Sequence, residues 1–183
     1  MPSAELRQAA VQNGLMAEHQ VVVRHARTHD VPMIRKIVEP LSDARVLVAK
    51  EAVADYEGLQ EFRIAEIDGQ IAGFGALHVM WEDLAEVRTL AVAKDFKSQG
   101  IGGIILNQLL DDAREIGVGR VFCLTFEIEF FTRHGFVEIE GTPVEPDVYI
   151  ELLRSHDDGV AEFLDLARVK PNTLGNSRML RQL

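Results

Sequence analysis

The spacing of apolar and polar residues predicts both helices and strands along most of the chain. The clearest helix is 101–116, where apolar side chains return every three or four positions and charged side chains face the other way. Its predicted buried face consists of Ile101, Ile105, Leu109, Ala113 and Ile116. The segment 84–92 is predicted as a strand, and 120–126 is a nearly continuous apolar run, typical of a buried strand. Asp68-Gly69 lies between two strand-like segments and is a strong β-hairpin signal.

The remaining segments complete one predicted α/β domain with a mixed sheet. The other predicted elements are a strand at 21–26, a helix from Thr28 or Asp30 to about Leu41, a helix at 50–56, a short helix at 127–134, a strand at 136–140, one or two further helices, and a closing edge strand at 177–183. Residues 1–20 are predicted to be an N-terminal extension with helical character across 3–13. The predicted domain therefore covers 21–183.

Composition and charge narrow the class of protein. A chain of 183 residues that is 47% hydrophobic can bury the core of one domain. The single cysteine, Cys123, excludes an internal disulfide framework and cysteine-based metal clusters. A net charge of −10 argues against general nucleic-acid binding. No apolar run approaches the roughly 20 residues that span a membrane, and the N-terminus lacks signal-peptide features. We therefore expect a cytoplasmic protein without a membrane partner, and a homo-oligomer is left open.

A glycine-dense loop precedes the predicted helix at 101–116. Gly100, Gly102 and Gly103 fall within four residues, and Lys97 lies just upstream. Such a loop can seat a phosphate on backbone N–H groups at the positive end of the helix dipole. It can also be a tight turn that needs glycine only for its dihedral angles. The spacing leaves both interpretations open, but it does not match a nucleoside triphosphate loop or a dinucleotide-binding GxGxxG.

The context of this loop resembles the acetyl-CoA signature of the GNAT superfamily of N-acetyltransferases. The strand EVRTLAV is followed by Lys97-x-x-Gly100-x-Gly102, whereas the family pattern is usually Arg/Gln-x-x-Gly-x-Gly/Ala, so Lys97 departs at the first position. The segment 123–136 looks like the family's fifth strand, short helix and Gly-Phe turn. The resemblance extends from Val21 to the end of the chain. It implies the GNAT fold, an α/β fold with a mixed, mostly antiparallel sheet flanked by helices, in which the fourth and fifth strands splay apart.

The resemblance also implies acetyl-CoA as co-substrate and no metal. Backbone N–H groups of Gln99–Gly103 would hold the pyrophosphate, and the main chain of Leu90–Val92 would pair with the pantetheine arm like a short strand. The gap between the splayed strands would lie between Leu90 and Leu124. The implied cofactor-binding residues are Leu90, Ala91, Val92, Lys97, Ser98, Gln99, Gly100, Ile101, Gly102 and Gly103.

Acetyl transfer to an amine requires a base and a proton donor for the departing thiolate. Glu86 is the candidate base, because some members of the superfamily carry a catalytic glutamate at the start of the fourth strand; the alternative is a solvated strand residue. Many GNAT enzymes use a tyrosine as the acid, but Phe131 stands at that position here. The proton must then come from water, the incoming ammonium group or another side chain such as His134. Cys123 is predicted to be a small core residue rather than a nucleophile.

The substrate prediction rests on Arg88 and on a closer resemblance. Arg88 lies two residues before Leu90 on the same strand face, so its fork could grip an α-carboxylate; the alternative is a surface ion pair with Glu86. The segments EVRTLAV, LTFEIEFFTRHGF and VKPNTLGNSRML resemble stand-alone N-acetylglutamate synthases, which make the first intermediate of arginine biosynthesis. This implies L-glutamate or L-glutamine as substrate and implies Ser177 and Arg178 as further substrate contacts.

Three other functions stay open from the sequence. The chain could be a GNAT enzyme for another amine, such as a polyamine, an antibiotic or a protein N-terminus. The missing tyrosine is also compatible with a non-catalytic module that senses acyl-CoA. A plain interaction domain that has lost its ligand is disfavoured by the intact glycine loop.

Overall fold

A seven-stranded sheet organises the part of the chain described by a computed structural model, residues 20–43, 51–166 and 175–183. The strands are β1 (Val22–His25), β2 (Phe62–Ile67), β3 (Gln70–Trp81), β4 (Leu84–Val92), β5 (Arg120–Thr125), β6 (Val137–Glu138) and β7 (Ser177–Gln182). The helices are α1 (Val31–Asp43), α2 (Ala52–Glu57), α3 (Ile101–Glu115), α4 (Ile128–Arg133), α5 (Pro146–Leu152) and α6 (Asp158–Phe163). These elements confirm the predicted alternation of strands and helices. The helical segment predicted at 3–13 lies outside the described residues.

The strand order is β1-β2-β3-β4-β5-β7-β6. Neighbouring strands are antiparallel except β4 and β5, which are parallel, and this confirms the predicted mixed, mostly antiparallel sheet. The prediction that the last strand closes the sheet as an edge is wrong. Strand β7 pairs with β5 on one side and with β6 on the other, where Val137 lies opposite Leu180. The short β6 is therefore the edge strand at this end of the sheet, and β1 is the edge strand at the other end.

The hairpin between β2 and β3 turns at the predicted Asp68-Gly69. Asp68 has φ +50° and Gly69 has φ +76°. A two-residue turn of the type that matches strand twist needs positive φ at both central positions, which Asp and Gly tolerate better than most residues. The hairpin prediction is confirmed.

Helices cover both faces of the sheet. On one face Phe74 of β3 packs in a cluster with Ile34 of α1, and on the other Leu77 of β3 packs in a cluster with Ile105 of α3. The two β3 residues are an odd number of positions apart, so they point to opposite faces. No helix within the described ranges is long and apolar enough to cross a membrane.

The predicted buried face of α3 is confirmed except at its last position. The residues Ile101, Ile105, Leu109 and Ala113 are each at most 2% exposed. Ile116 is 57% exposed, so its predicted burial is wrong. The helix ends at Glu115, and Gly117, with φ +90°, turns the chain towards β5 before Ile116 can reach the sheet.

Strands β4 and β5 separate part-way along their length. They pair only from Leu84 to Glu86, although β4 continues to Val92. On its other side β4 carries a bulge, because the register to β3 shifts between Phe74 and Ala76 and Thr89 has φ +55°. Positive φ is rare for a β-branched residue and marks a real irregularity of the strand. The predicted splay of the fourth and fifth strands is confirmed.

Candidate active site

The separation of β4 from β5 opens a cleft of about 570 Å³. One wall is β4 from Glu86 to Val92, and the other is 124–127 at the end of β5. Phe130 of α4 and Gly102 of α3 also line it. A cleft of this size and mixed polarity falls in the range of small-molecule sites. The sheet thus offers a ligand both side chains and the unpaired backbone edge of β4 beyond Glu86.

The glycine loop lies beside this cleft and begins α3. Gly100 is the N-cap residue, with φ +78°, and within the described chain no side chain caps the helix. The first backbone N–H groups of a helix have no partner within the helix, so they remain available to an anion. A methyl group built at Gly102 would lie 3.6 Å from the Phe130 ring and from Val92, at the surface of the cleft. The loop can therefore present backbone N–H groups to an anionic ligand.

The predicted cofactor-binding residues divide into two groups. Those that line the cleft are Leu90, Ala91, Val92, Lys97, Ser98 and Gly102. The others are Gln99, Gly100, Ile101 and Gly103. Ile101 is 2% exposed and belongs to the core, and the Gln99 side chain donates to the Asp95 carbonyl, 3.3 Å away. The backbone contacts that the resemblance implies for 99–103 stay a prediction.

Glu86 and Arg88 lie buried where the two strands begin to separate. Glu86 is 4% exposed, and its Oε2 atom is 2.9 Å from Nη2 of Arg88. The contact is an ion pair without hydrogen-bond geometry, and Oε2 accepts no hydrogen bond from the described residues. Both residues line the cleft. The alternative of a solvated Glu86 does not fit this burial, and the ion pair predicted as an alternative for Arg88 is present but buried.

Arg88 has a second acidic partner, Asp157, which the sequence did not indicate. The two Nη atoms of Arg88 donate to the two carboxylate oxygens of Asp157 at 3.0 and 3.1 Å. Burial by itself would lower the pKa of Arg88, but Glu86 and Asp157 outweigh it and raise that pKa. Burial would raise the pKa of Asp157, but Arg88 holds it well below its usual range. Nε of Arg88 is buried and has no acceptor among the described residues.

Comparison with known protein families identifies the family of this chain. The sequence profile of the acetyltransferase (GNAT) family matches residues 31–136. The chain belongs to the GNAT family of acetyltransferases. This confirms the predicted fold and the predicted class of enzyme, an acyltransferase.

Three relatives of this GNAT acetyltransferase are close enough to be informative. An amino-acid acetyltransferase of Mycobacterium tuberculosis is 55% identical over 87% of this chain and 92% of its own length. The structure of Rv2747 from Mycobacterium tuberculosis in complex with CoA and NLQ has a TM-score of 0.85 and 55% identity, over 88% of this chain and 99% of that one. N-acetylglutamate synthase from Neisseria gonorrhoeae, complexed with coenzyme A and N-acetyl-glutamate, has a TM-score of 0.72 and 25% identity, over 91% of this chain but only 36% of the longer protein.

Ser177 and Arg178, predicted as substrate contacts, do not line the cleft of this acetyltransferase. Ser177 donates a hydrogen bond to Glu138, 3.0 Å away. The Arg178 guanidinium donates to the backbone carbonyls of Glu162 and Phe163 and lies 5.2 Å from the centre of the Phe122 ring. These contacts direct Arg178 to the end of α6, and burial lowers its pKa. Asn176, the residue before them, does line the cleft.

Three residues near the cleft bear on how the departing thiolate is protonated. Phe131 is 6% exposed and lines the cleft, but a phenyl ring has no proton to give. His134 packs against the first turn of α3 and does not line the cleft, with Nδ1 2.8 Å from the Phe130 carbonyl and Nε2 3.0 Å from a methyl group built at Gly103. Thr125 also lines the cleft, and its hydroxyl accepts a hydrogen bond from the Glu127 N–H at 2.9 Å and keeps its own proton to donate.

Two remaining expectations concern cysteine and metal chemistry. Cys123 is fully buried in the core cluster beneath α3, as predicted. Burial, and then the nearby Glu86 carboxylate, raise the pKa of its thiol, which is the reverse of what a nucleophile needs. In the part of the chain that the structure describes, no group of three or more His, Cys, Asp or Glu side chains is arranged to bind a metal ion.

Proposed function

We propose that this enzyme transfers the acetyl group of acetyl-CoA to the α-amine of an amino acid, L-glutamate or L-glutamine. The observation that carries the proposal is the buried Glu86–Arg88 pair at the point where β4 and β5 separate. It places a carboxylate and a guanidinium in the cleft where the family binds its acetyl donor. The 55% identity to a protein named amino-acid acetyltransferase, over nearly the whole of both chains, supports the same activity.

The acetyl donor would be held by backbone more than by side chains. The phosphates would meet the N–H groups of 99–103, and the extended arm would lie along the edge of β4 at Leu90–Val92. Lys97 and Arg133 also line the cleft and add positive charge near it. Acetyl-CoA, when bound, supplies an activated acetyl thioester. The residues that surround the reacting amine then decide which acceptor is used.

An amino acid matches the charges around Arg88. Two carboxylates, Glu86 and Asp157, face one guanidinium, so the local balance favours a cationic group such as an α-ammonium. The buried Nε–H of Arg88 has no acceptor among the described residues and would be satisfied by an α-carboxylate. Both charged groups of an amino acid can thus be bound at once. This pairing would also orient the amine for attack on the thioester.

Glu86 would take part in proton transfer, and Thr125 would stabilise the departing sulfur. A model α-amine has a pKa of about 8, so at neutral pH it must lose a proton before it attacks. Glu86 lines the cleft, and its carboxylate would take this proton, directly or through water. As the carbon–nitrogen bond forms and the carbon–sulfur bond breaks, the proton that the amine gives up would pass through Glu86 and water to the leaving sulfur. The Thr125 hydroxyl would donate a hydrogen bond that stabilises the thiolate before it is protonated.

We place the reaction in the cytoplasm, as the first step of arginine biosynthesis, on the resemblance to stand-alone N-acetylglutamate synthases. The catalytic domain would be 21–183, with 1–20 as an extension. Because the chain spans only 36% of the gonococcal synthase, regulation of that longer protein is not carried over.

A panel of amino acids assayed with acetyl-CoA tests the proposal. Release of free thiol measures turnover, and mass spectrometry identifies the acetylated product. We expect L-glutamate or L-glutamine to be acetylated on the α-amine with the highest kcat/KM of the panel. Faster acetylation of a polyamine or a peptide N-terminus, or acetyl-CoA binding without turnover on any amine, would contradict it.

A further inference from the structure

A turn near the end of the chain packs directly on the buried Glu86–Arg88 pair. Asp157 grips both Nη atoms of Arg88, and Gly159 follows two residues later in α6. A methyl group built at Gly159 would lie 2.6 Å from Oε2 of Glu86, 3.0 Å from Nη2 of Arg88 and 3.0 Å from Oδ1 of Asp157. Real Cβ atoms essentially never approach other heavy atoms to 2.6 Å. The absence of a side chain at 159 is therefore what allows this contact.

Backbone conformation does not explain the glycine. Gly159 is not among the described residues with positive φ, so an L-residue could adopt its dihedral angles. The only strong constraint at this position is space, and the atoms that impose it belong to the two side chains proposed to bind and deprotonate the substrate. Gly159 also lines the cleft.

Asp157 and the helix that follows it hold this turn in place. Asp157 is the N-cap residue of α6, and its Oδ1 accepts a hydrogen bond from the Val160 N–H at 3.0 Å. Val160 and Phe163 of α6 are at most 3% exposed and pack in the core cluster around Phe122. Asp157 therefore joins a well-packed helix to the guanidinium of Arg88. A displacement of the turn would move Arg88, and a displacement of Arg88 would strain the cap.

We propose that Asp157 and Gly159 are positioning residues for acetyl transfer. Asp157 fixes the position of the Arg88 guanidinium at the cleft, and Gly159 leaves the space that the Glu86 carboxylate occupies. This inference rests on the proposed function, because it assigns Arg88 and Glu86 to the substrate. Neither positioning residue needs to touch the substrate itself.

The Gly159→Ala variant tests the steric part, with Gly119→Ala as its matched control. Gly119 has no atom within 4 Å of a built methyl group and no positive φ, so alanine is accommodated there. At position 159 the methyl group must push the Glu86 carboxylate or Arg88 aside. Because a misplacement of about 1 Å can cost about 10²-fold in rate, we expect kcat/KM for the amino acid to fall on the order of 10²-fold in Gly159→Ala. It should be unchanged in Gly119→Ala, and CoA affinity should be unchanged in both.

The Asp157→Ser variant separates the ion pair from the helix cap. Serine is a good N-cap residue, but its hydroxyl is too short to bind both Nη atoms of Arg88. We expect the KM for the amino acid to rise on the order of tenfold or more while the affinity for CoA and the far-ultraviolet circular dichroism stay as in the wild type. A purely structural role as cap would leave the KM unchanged and would overturn the proposal. A lower KM would also overturn it, because Asp157 would then be competing with substrate for Arg88.

A structural readout decides the role of Gly159 independently of turnover. In a crystal structure of the Gly159→Ala variant, the Glu86 carboxylate is expected to be displaced from its wild-type position. An unmoved Glu86 and Arg88, or wild-type kinetics in Gly159→Ala, would overturn the proposal. If the wild-type enzyme acetylates no amino acid, the proposed function fails, and the position of Glu86 in the variant still shows whether Gly159 positions it.

Discussion

Arg88 differs from an ordinary surface arginine because its side chain is only 9% exposed and faces two carboxylates. An exposed ion pair contributes little, whereas a buried charge that loses its partner is costly. Glu86 and Asp157 therefore keep a fixed cation stable at the cleft, while Nε of Arg88 and Oε2 of Glu86 make no hydrogen bond within the described residues. At the scale of single residues, we propose that these charges are held in place before the substrate arrives.

Replacing Glu86 by glutamine should preserve its shape and remove the base. If Glu86 takes the amine proton, kcat should fall on the order of 10²-fold or more at neutral pH, and the loss should shrink at higher pH, where the free amine is abundant. The affinity for CoA should not change. Glu82→Gln, at an exposed position in the turn between β3 and β4, is the control. Equal kcat and equal pH–rate profiles in Glu86→Gln and wild type would show that Glu86 is not the base.

Replacing Arg88 by lysine keeps the positive charge but loses the planar fork. Lysine cannot hold both oxygens of Asp157 and also offer a fixed N–H to the substrate. We expect the KM for the amino acid to rise on the order of tenfold or more, whereas the KM for acetyl-CoA should change little. Steady-state kinetics with each substrate varied in turn make this comparison. A selective rise in the KM for acetyl-CoA would instead assign Arg88 to the cofactor.

At the scale of elements, local patterns predicted most of the fold, and long-range pairing accounts for what they missed. The strand at 84–92, the hairpin at Asp68 and the glycine loop before α3 are local, so their residues carry enough information. The contact from Arg88 to Asp157 joins residues 69 positions apart, and nothing in a short window signals it. The pairing of β7 with β6 is also long-range, since it brings Val137 opposite Leu180. The local pattern of β7 therefore does not show that β7 lies inside the sheet.

The glycine loop yields a prediction about the cofactor alone. Gly102→Val would place branched carbons between Phe130 and Val92 at the surface of the cleft, where even a methyl group is in contact at 3.6 Å. We expect the Kd for CoA to rise tenfold or more, measured by calorimetry, with little change in Tm. Gly102→Ala makes ordinary contacts and should bind nearly as well. Unchanged affinity in a folded Gly102→Val variant would remove the loop from the site.

A buried ion pair at the start of α1 controls part of the stability. Arg24 donates to both oxygens of Asp30 at 2.7 and 2.9 Å, and Asp30 is 3% exposed. The hydrogen bond from Arg24 lowers the pKa of Asp30, against the opposing effect of burial. In the unfolded chain this pKa returns to about 3.9. The stabilisation is therefore complete above about pH 4 and is lost as the pH falls through the lower pKa of the folded state.

Asp30→Ala should consequently lower the free energy of unfolding at pH 7 by about 3 kcal/mol, the cost of breaking a buried pair. Urea unfolding at pH 7 and again near pH 3 measures the effect, and we expect a smaller difference from wild type in acid. Asp111→Ala, which breaks the exposed pair with Arg114, should change stability by less than about 1 kcal/mol. An equal difference at both pH values would contradict an electrostatic role for Asp30.

At the scale of the whole molecule, the acetyltransferase fold is what this chain shares with its relatives. It matches 92% of the mycobacterial amino-acid acetyltransferase but only 36% of the gonococcal synthase structure. The overall charge of −10 does not exclude an anionic co-substrate, because Lys97, Arg133 and exposed backbone N–H groups gather at one cleft. We propose that the acceptor is selected inside that cleft, where Glu86 and Arg88 of β4 meet Asp157 and Gly159.

One comparison tests the central claim that the site recognises an α-carboxylate beside the amine. Initial rates with acetyl-CoA would be measured for L-glutamine and L-glutamate, and for the matching amines that lack the α-carboxylate. We predict that kcat/KM falls by 10²-fold or more without that carboxylate, because the Nε–H of Arg88 then stays unpaired and the amine loses its orientation. The difference should narrow in Arg88→Lys. Equal activity on the amino acids and on their decarboxylated amines would contradict the account.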